Sequence, residues 1–176
     1  TFTPASYKEG VQSTLAKEPG FSVATWQQRP ESLGWVEAIS SDPFEKPLIQ
    51  PNYLDAEEDK IACVAAIKLG RNLMRTKSFS PYFDYEIYPG GNGQSDDELL
   101  EIARERGTTT YHPMGSCRMG PKTDITAVVD HNLKVYGIEN LRVVDASIMP
   151  TMLSANIHAG AMMIAEKASD LILDSA

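Results

Sequence analysis

Hydrophobic positions change their period several times along this chain, and each change marks an element. Near the C-terminus, Ile157, Ala161, Ile164, Ala165, Ala168, Leu171 and Ile172 recur at helical spacing, with Glu166, Lys167, Ser169 and Asp170 on the other face. That pattern predicts an amphipathic terminal helix docked on a core. Upstream, Asp55-Ala56-Glu57-Glu58 has the form of a capping box and predicts a helix running to about Arg75. Its Ile61, Val64, Ala65, Ile67 and Leu69 surround much of the circumference, so this helix is expected to be largely buried. Ser95-Asp96-Asp97-Glu98 is a second capping box, opening a short helix that Gly107 closes. A short helical stretch is also expected from Tyr7 to Lys17, ended by Pro19-Gly20.

Strand signals lie between these helices. Phe21 to Gln28 mixes β-branched and aromatic residues, Arg29-Pro30-Glu31-Ser32-Leu33-Gly34 is turn chemistry, and Trp35-Val36-Glu37-Ala38-Ile39 reads as the returning strand. The two segments are expected to pair antiparallel. Asp42-Pro43 through Pro47, then Pro51-Asn52, predict an extended connector, and Pro89-Gly90-Gly91-Asn92-Gly93 a loop. From Thr108 to Lys122 small residues, Gly and Pro dominate. Val128-Val129 and Leu133-Lys134-Val135 are short β segments, and Leu141-Arg142-Val143-Val144 predicts a strong strand ending at Asp145-Ala146-Ser147.

The 176 residues suffice for one core of ordinary size or two unequal lobes. With 42% apolar and 23% charged residues, the chain is expected to be globular rather than disordered. Sixteen Lys and Arg against 24 Asp and Glu leave a net charge of −8, which argues against nucleic acid or an anionic membrane as partner. The longest strongly apolar stretch, near Ala159–Ala165, falls far short of the ~20 residues of a membrane span. Thr1-Phe2-Thr3-Pro4 opens without Met and without a secretory apolar region, as though the chain enters in mid-protein. Cys63 and Cys117 form no disulfide scaffold and no CxxC or Cys/His zinc pattern. They read as free thiols in a reducing, cytoplasmic compartment, and no metal site is expected.

Three places could carry chemistry. In Tyr111-His112-Pro113-Met114-Gly115-Ser116-Cys117-Arg118-Met119-Gly120, a histidine followed by proline in a Gly-rich loop can be held rigidly as a general base, or simply be a packed loop histidine. Cys117 lacks a nearby base and reads as a small buried thiol rather than a nucleophile. Asp145 ends the expected strand, where a carboxylate accepts hydrogen bonds from ligand hydroxyls or caps a turn. Ser154-Ala155-Asn156-Ile157-His158 opens the last helix, whose N-terminus attracts developing negative charge; simple capping by Ser154 or Asn156 is the plainer alternative. His131, beside Asp130, reads as a surface residue.

Taken together, these segments resemble the C-terminal portion of the glucose–methanol–choline (GMC) flavoprotein oxidoreductases. The resemblance rests on His112 to Gly120, Ala127-Val128-Val129-Asp130, Gly137 to Pro150, and Met162-Met163-Ile164-Ala165-Glu166-Lys167. Arg29-Pro30-Glu31-Ser32, Ser41-Asp42-Pro43 and Pro51-Asn52-Tyr53-Leu54 resemble landmarks of that family's substrate domain. The resemblance implies an FAD-dependent alcohol dehydrogenase or oxidase, choline dehydrogenase-like, acting on a small alcohol. His112 matches the histidine that removes the hydroxyl proton, and Asn156 the second member of the catalytic pair. Asp145 and Ala146 match positions that hold the FAD ribityl–diphosphate chain. His158 and Ala159 match positions beside the flavin ring, where His158 replaces a common Asn, and Tyr111 matches a pocket position.

The implied fold class is α+β. Residues 1–107 would form a substrate-binding lobe, an antiparallel sheet with helices. Residues 108–176 would return to an FAD-binding α/β domain and supply its last strand and helix, with the catalytic pair and part of the FAD site. The family's dinucleotide-binding GxGxxG is not found here, so the chain resembles roughly the last third of such an enzyme and implies an N-terminal FAD-binding portion as partner. As such a part, it would be inactive alone. The alternative is a non-catalytic binding or assembly domain that keeps the scaffold.

Overall fold

The computed structural model describes residues 1–8 and 11–174, with the side chains of 11–13 and 92 left aside. It is a mixed helix-and-sheet structure of two compact units. Thr1–Gln27 and Tyr53–Thr108 make up the first, Gln28–Asn52 and 109–176 the second. One segment of the first unit ends at Thr108, and residues 28–52 cluster with the second unit.

In the first unit, β1 (Phe2–Thr3) pairs antiparallel with β4 (Ser22–Val23), and β2 (Tyr7–Lys8) with β3 (Val11–Leu15). The helix expected over Tyr7–Lys17 is therefore a strand pair; its residues 9 and 10 lie outside the described residues. β-branched Val11 and Thr14 favour the extended backbone, and a neighbouring strand within reach decides the outcome. The Phe2 ring lies 5.4 Å from Phe21 and 5.7 Å from Phe79, which seats the first pair.

Helix α1 (Glu57–Met74) ends close to its expected limit, but its N-cap is Ala56 with no side-chain cap, not Asp55. It is also less buried than its apolar circumference predicts. Val64 and Met74 are buried, whereas Ile61 and Leu69 are 62% and 68% exposed. From its inner side Arg71 donates Nε to Glu86 Oε1 at 2.8 Å and Nη1 to the Gly93 carbonyl at 2.5 Å, which holds the Gly-rich loop against the helix.

Helix α2 (Asp96–Arg106) follows its capping box as expected, with Gly107 at its C-cap and Leu99 wholly buried beneath it. Ser95 Oγ accepts from the Glu98 N–H at 3.3 Å, and Glu98 Oε2 accepts from the N–H groups of Ser95 and Gln94, each at 2.9 Å. These bonds, that from Ser95 N–H first, hold the Glu98 carboxyl below the ordinary glutamate range. A depressed folded-state value stabilises the helix above the unfolded pKa, and that contribution is lost as pH falls through the folded value. Ser95→Ala is expected to cost about 1 kcal/mol. Glu98→Gln is expected to flatten the acid limb of urea stability measured against pH; an unchanged acid limb in that variant would count against the box.

In the second unit, β5 (Trp35–Glu37) pairs antiparallel with β6 (Leu48–Gln50), in register Trp35↔Gln50 and Glu37↔Leu48. The expected pairing of 21–28 with 35–39 does not form: each segment shortens and takes a different partner. The expected extended connector is a hairpin loop and its return strand. Asp42 Oδ1 accepts from Phe44 N–H at 3.0 Å, with Pro43 pre-set for the turn. Gly34 lets the hairpin base close, since a Cβ there would lie 2.2 Å from the Gln50 carbonyl oxygen.

Single bridges link Met119 to Val129, Val129 to Val135 and Lys134 to Arg142. Val129, Lys134 and Val135 form these bridges, but Leu133 has a left-handed backbone, φ +65°, and Leu141–Val144 is not a regular strand. It makes one bridge, with Val135 N–H donating to Leu141 O at 3.0 Å and Val143 N–H to Leu133 O at 3.1 Å. A strand exists only as far as a neighbour pairs with it, and here the neighbouring extended segment is very short. Helix α3 (His158–Leu173) closes the unit.

Candidate active site

All seven residues singled out from the sequence, Tyr111, His112, Asp145, Ala146, Asn156, His158 and Ala159, fall in the second unit. Its buried core joins the three segments that carry them. Val129, Leu133, Ile148, Met149, Ile157, Ile164 and Ala168 form one cluster, and Met114 and Met119 from the histidine loop pack against it. Each segment thus places its polar residues beside apolar residues anchored in the same core.

Hydrogen bonds then align the first two segments. Cys117 N–H donates to Ser147 O at 2.9 Å and Met119 N–H to Ile148 O at 2.8 Å, so the stretch after His112 runs along the turn after Asp145. Gly115 makes this approach possible: its φ is +81°, and a Cβ would meet Met149 O at 3.2 Å. Tyr111 also has a left-handed backbone, φ +60°, which bends the chain immediately before His112. The His112 imidazole is half-buried and the Tyr111 ring exposed.

Asp145 does cap a turn. Its Oδ1 accepts from Ser147 N–H at 2.8 Å and from Ser147 Oγ, closing the 3-10 turn Ala146–Ile148. Both bonds use Oδ1, and the residue is exposed, so Oδ2 is available to a ligand hydroxyl. The turn thus uses one carboxylate oxygen and leaves the other over.

Neither Ser154 nor Asn156 caps α3; the N-cap position is Ile157, without a side-chain hydrogen bond. The first backbone bond into the helix is Ala161 N–H to Ile157 O at 2.9 Å, which leaves the N–H groups of His158, Ala159 and Gly160 without helical acceptors. No acidic residue lies in this first turn, so the positive end of the helix is uncompensated. Asn156, His158 and Ala159 are all exposed there. An anionic ring or a carbonyl oxygen placed at this end would be stabilised.

Other candidates are quieter. Burial raises the Cys63 thiol above its ordinary value, which suits a packed group rather than a nucleophile. Both cysteines are free, His131 is exposed, and no metal-binding group of His, Cys, Asp or Glu occurs among the described residues. No helix among them is long and apolar enough to cross a membrane. One contact escaped the sequence: Arg29 Nε donates to Ser154 Oγ at 2.5 Å. Nothing local to either residue announces a bond across 125 positions.

Residues 30–165 match the family model of the GMC oxidoreductases. The chain belongs to that family. It is 47% identical over 173 residues to the oxygen-dependent choline dehydrogenase of Staphylococcus xylosus, covering 97% of this chain and 30% of that protein. The corresponding protein of Staphylococcus aureus strain JH9 gives the same identity and coverage. Among solved structures, pyridoxine 4-oxidase from Mesorbium loti superposes with a TM-score of 0.75 at 33% identity, over 81% of this chain and 28% of that one. A fungal aryl-alcohol oxidase gives 0.74 at 31%, over 84% and 24%. This GMC oxidoreductase chain thus corresponds to the family's C-terminal domain and spans 30% of the length of the curated relatives it matches. Related structures include an enzyme described as FAD-dependent and a formate oxidase studied for its FAD modification.

Proposed function

We propose that this chain is the C-terminal part of an FAD-dependent alcohol oxidoreductase that converts an alcohol to a carbonyl compound. The observation that carries the reading is the joining of the His112 loop, the Asp145 turn and the uncapped α3 N-terminus on one core. The 47% identity to choline dehydrogenases supports it. In this reading residues 1–107 contribute the substrate-binding lobe and 108–176 return to the flavin domain. The partner is an N-terminal FAD-binding portion of the same enzyme.

The residues present fit part of the cofactor. Asp145 Oδ2 can accept from a ribityl hydroxyl, and Ala146 leaves room beside it. His158 and Ala159 would line the ring at the positive helix end. Bound FAD would supply hydride acceptance at its N5. The remaining work falls to this chain's side chains. The imidazole of His112 takes the substrate hydroxyl proton, and the Asn156 amide donates a hydrogen bond to the same oxygen. Tyr111 shapes the pocket wall next to His112.

An amide can orient the substrate and hydrogen-bond to it but cannot take the proton. Asn156→Ala in the flavin-loaded enzyme is therefore expected to slow turnover by roughly 10-fold, about 1.4 kcal/mol. Anaerobic mixing with a panel of primary alcohols tests the whole reading. Loss of the oxidised-flavin absorption band is expected with at least one of them, slowed in Asn156→Ala. A flavin that no alcohol reduces would refute the proposal.

A further inference from the structure

Asn156 sits on a segment with little of its own to hold it. Among the described residues, no backbone–backbone hydrogen bond involves residues 151–156. Apolar anchors lie at either end: Met152 packs against the core and Ile157 is buried. Between them Leu153 packs against Gly160 of α3, but Ser154 to Asn156 have no backbone hydrogen bond to fix the direction of the Asn156 amide. One polar tie falls inside this gap, the 2.5 Å bond from Arg29 Nε to Ser154 Oγ. A guanidinium donor makes it charge-assisted and directional. Its other end is well placed to serve as a fixed point. Pro30 restricts the backbone next to Arg29, and the β5–β6 hairpin follows within the same compact unit.

We infer that Arg29 is a positioning residue: through Ser154 it sets the conformation of residues 151–156 and so the placement of the Asn156 amide. The role given to Asn156 rests on the proposed function; the tether itself does not. The bond is exposed, so it contributes little to global stability. Its effect is on geometry, where a displacement of one ångström can cost as much as about 100-fold in rate.

The test has two arms. In hydrogen–deuterium exchange of the full chain, Arg29→Ala and Ser154→Ala are each expected to speed exchange in peptides spanning 151–160, while the α2 peptides keep parental rates. In the flavin-loaded enzyme each variant is expected to lower kcat roughly 10-fold with little change in KM. The double variant should be no slower than the slower single, because both singles already remove the Arg29–Ser154 bond. Arg29→Lys, which keeps a cationic donor, should recover most of the loss. Parental exchange in 151–160, or losses that add in the double variant, would overturn the inference and leave the proposed function standing. If Asn156→Ala turns over like the parent while Arg29→Ala still loosens 151–160, the tether is upheld and the functional reading fails.

Discussion

Replacing His112 by Ala in the flavin-loaded enzyme is expected to lower turnover by roughly 10²–10⁴-fold, the range contributed by a positioned general base. Alcohol oxidation requires loss of the hydroxyl proton together with hydride loss from carbon, and an imidazole is suited to accept that proton near neutral pH. The structure makes the position rigid. Met114 and Met119 pin the following loop to the core, and Cys117 and Met119 hydrogen-bond to the turn after Asp145. Ala removes the base without disturbing those bonds, so the effect should appear in kcat with the fold intact. Steady-state rates across the accessible pH range decide the matter, and parental turnover of the variant at every pH would remove His112 from the mechanism. The loss should exceed that of Asn156→Ala, since only the imidazole can carry the proton.

The 176-residue chain by itself is expected not to retain FAD. What it offers the cofactor is one free carboxylate oxygen at Asp145 and the positive end of α3. Its sequence has no GxGxxG to seat the pyrophosphate on a helix N-terminus. Two partial contacts do not offset the freedom lost in ordering a large flexible ligand. Exposed apolar side chains, among them Ile61 and Leu69 on α1 and Met162 and Met163 on α3, should also cause the isolated chain to self-associate. Equilibrium dialysis against FAD should show no saturable uptake. Saturable one-to-one binding at micromolar FAD would mean that the chain completes a flavin site alone, and would contradict its assignment as one part of that site.

Residues that act over short distances could be read from the sequence. The Ser95 capping box specified where α2 begins, because its bonds span only three positions. The period of apolar residues announced α3, and the motif from His112 to Gly120 pointed to the family that the comparison supports. Pairing choices could not be read in the same way. Ser22–Val23 and Trp35–Glu37 have similar strand character, yet one pairs with Phe2–Thr3 and the other with Leu48–Gln50. Strand propensity states that a segment can be extended but not which neighbour completes its hydrogen bonds. For the same reason Leu141–Val144, the strongest strand pattern in the chain, is only the edge of a one-bridge ladder.

The site divides along the same line. The sequence by itself determined the chemistry available: an imidazole at His112, a carboxylate at Asp145, an amide at Asn156 and a helix that opens within Ser154 to His158. Tertiary structure alone decided that Asp145 uses one oxygen for its own turn and keeps the other, and that Ile157 rather than Ser154 stands at the α3 N-cap. It also turned Ser154 toward Arg29, 125 residues away. A cap or a helix period is a local balance of backbone hydrogen bonds and side-chain reach, fixed within a few residues. A contact between distant segments depends on how a shared core orients them, and that orientation is a property of the packed whole.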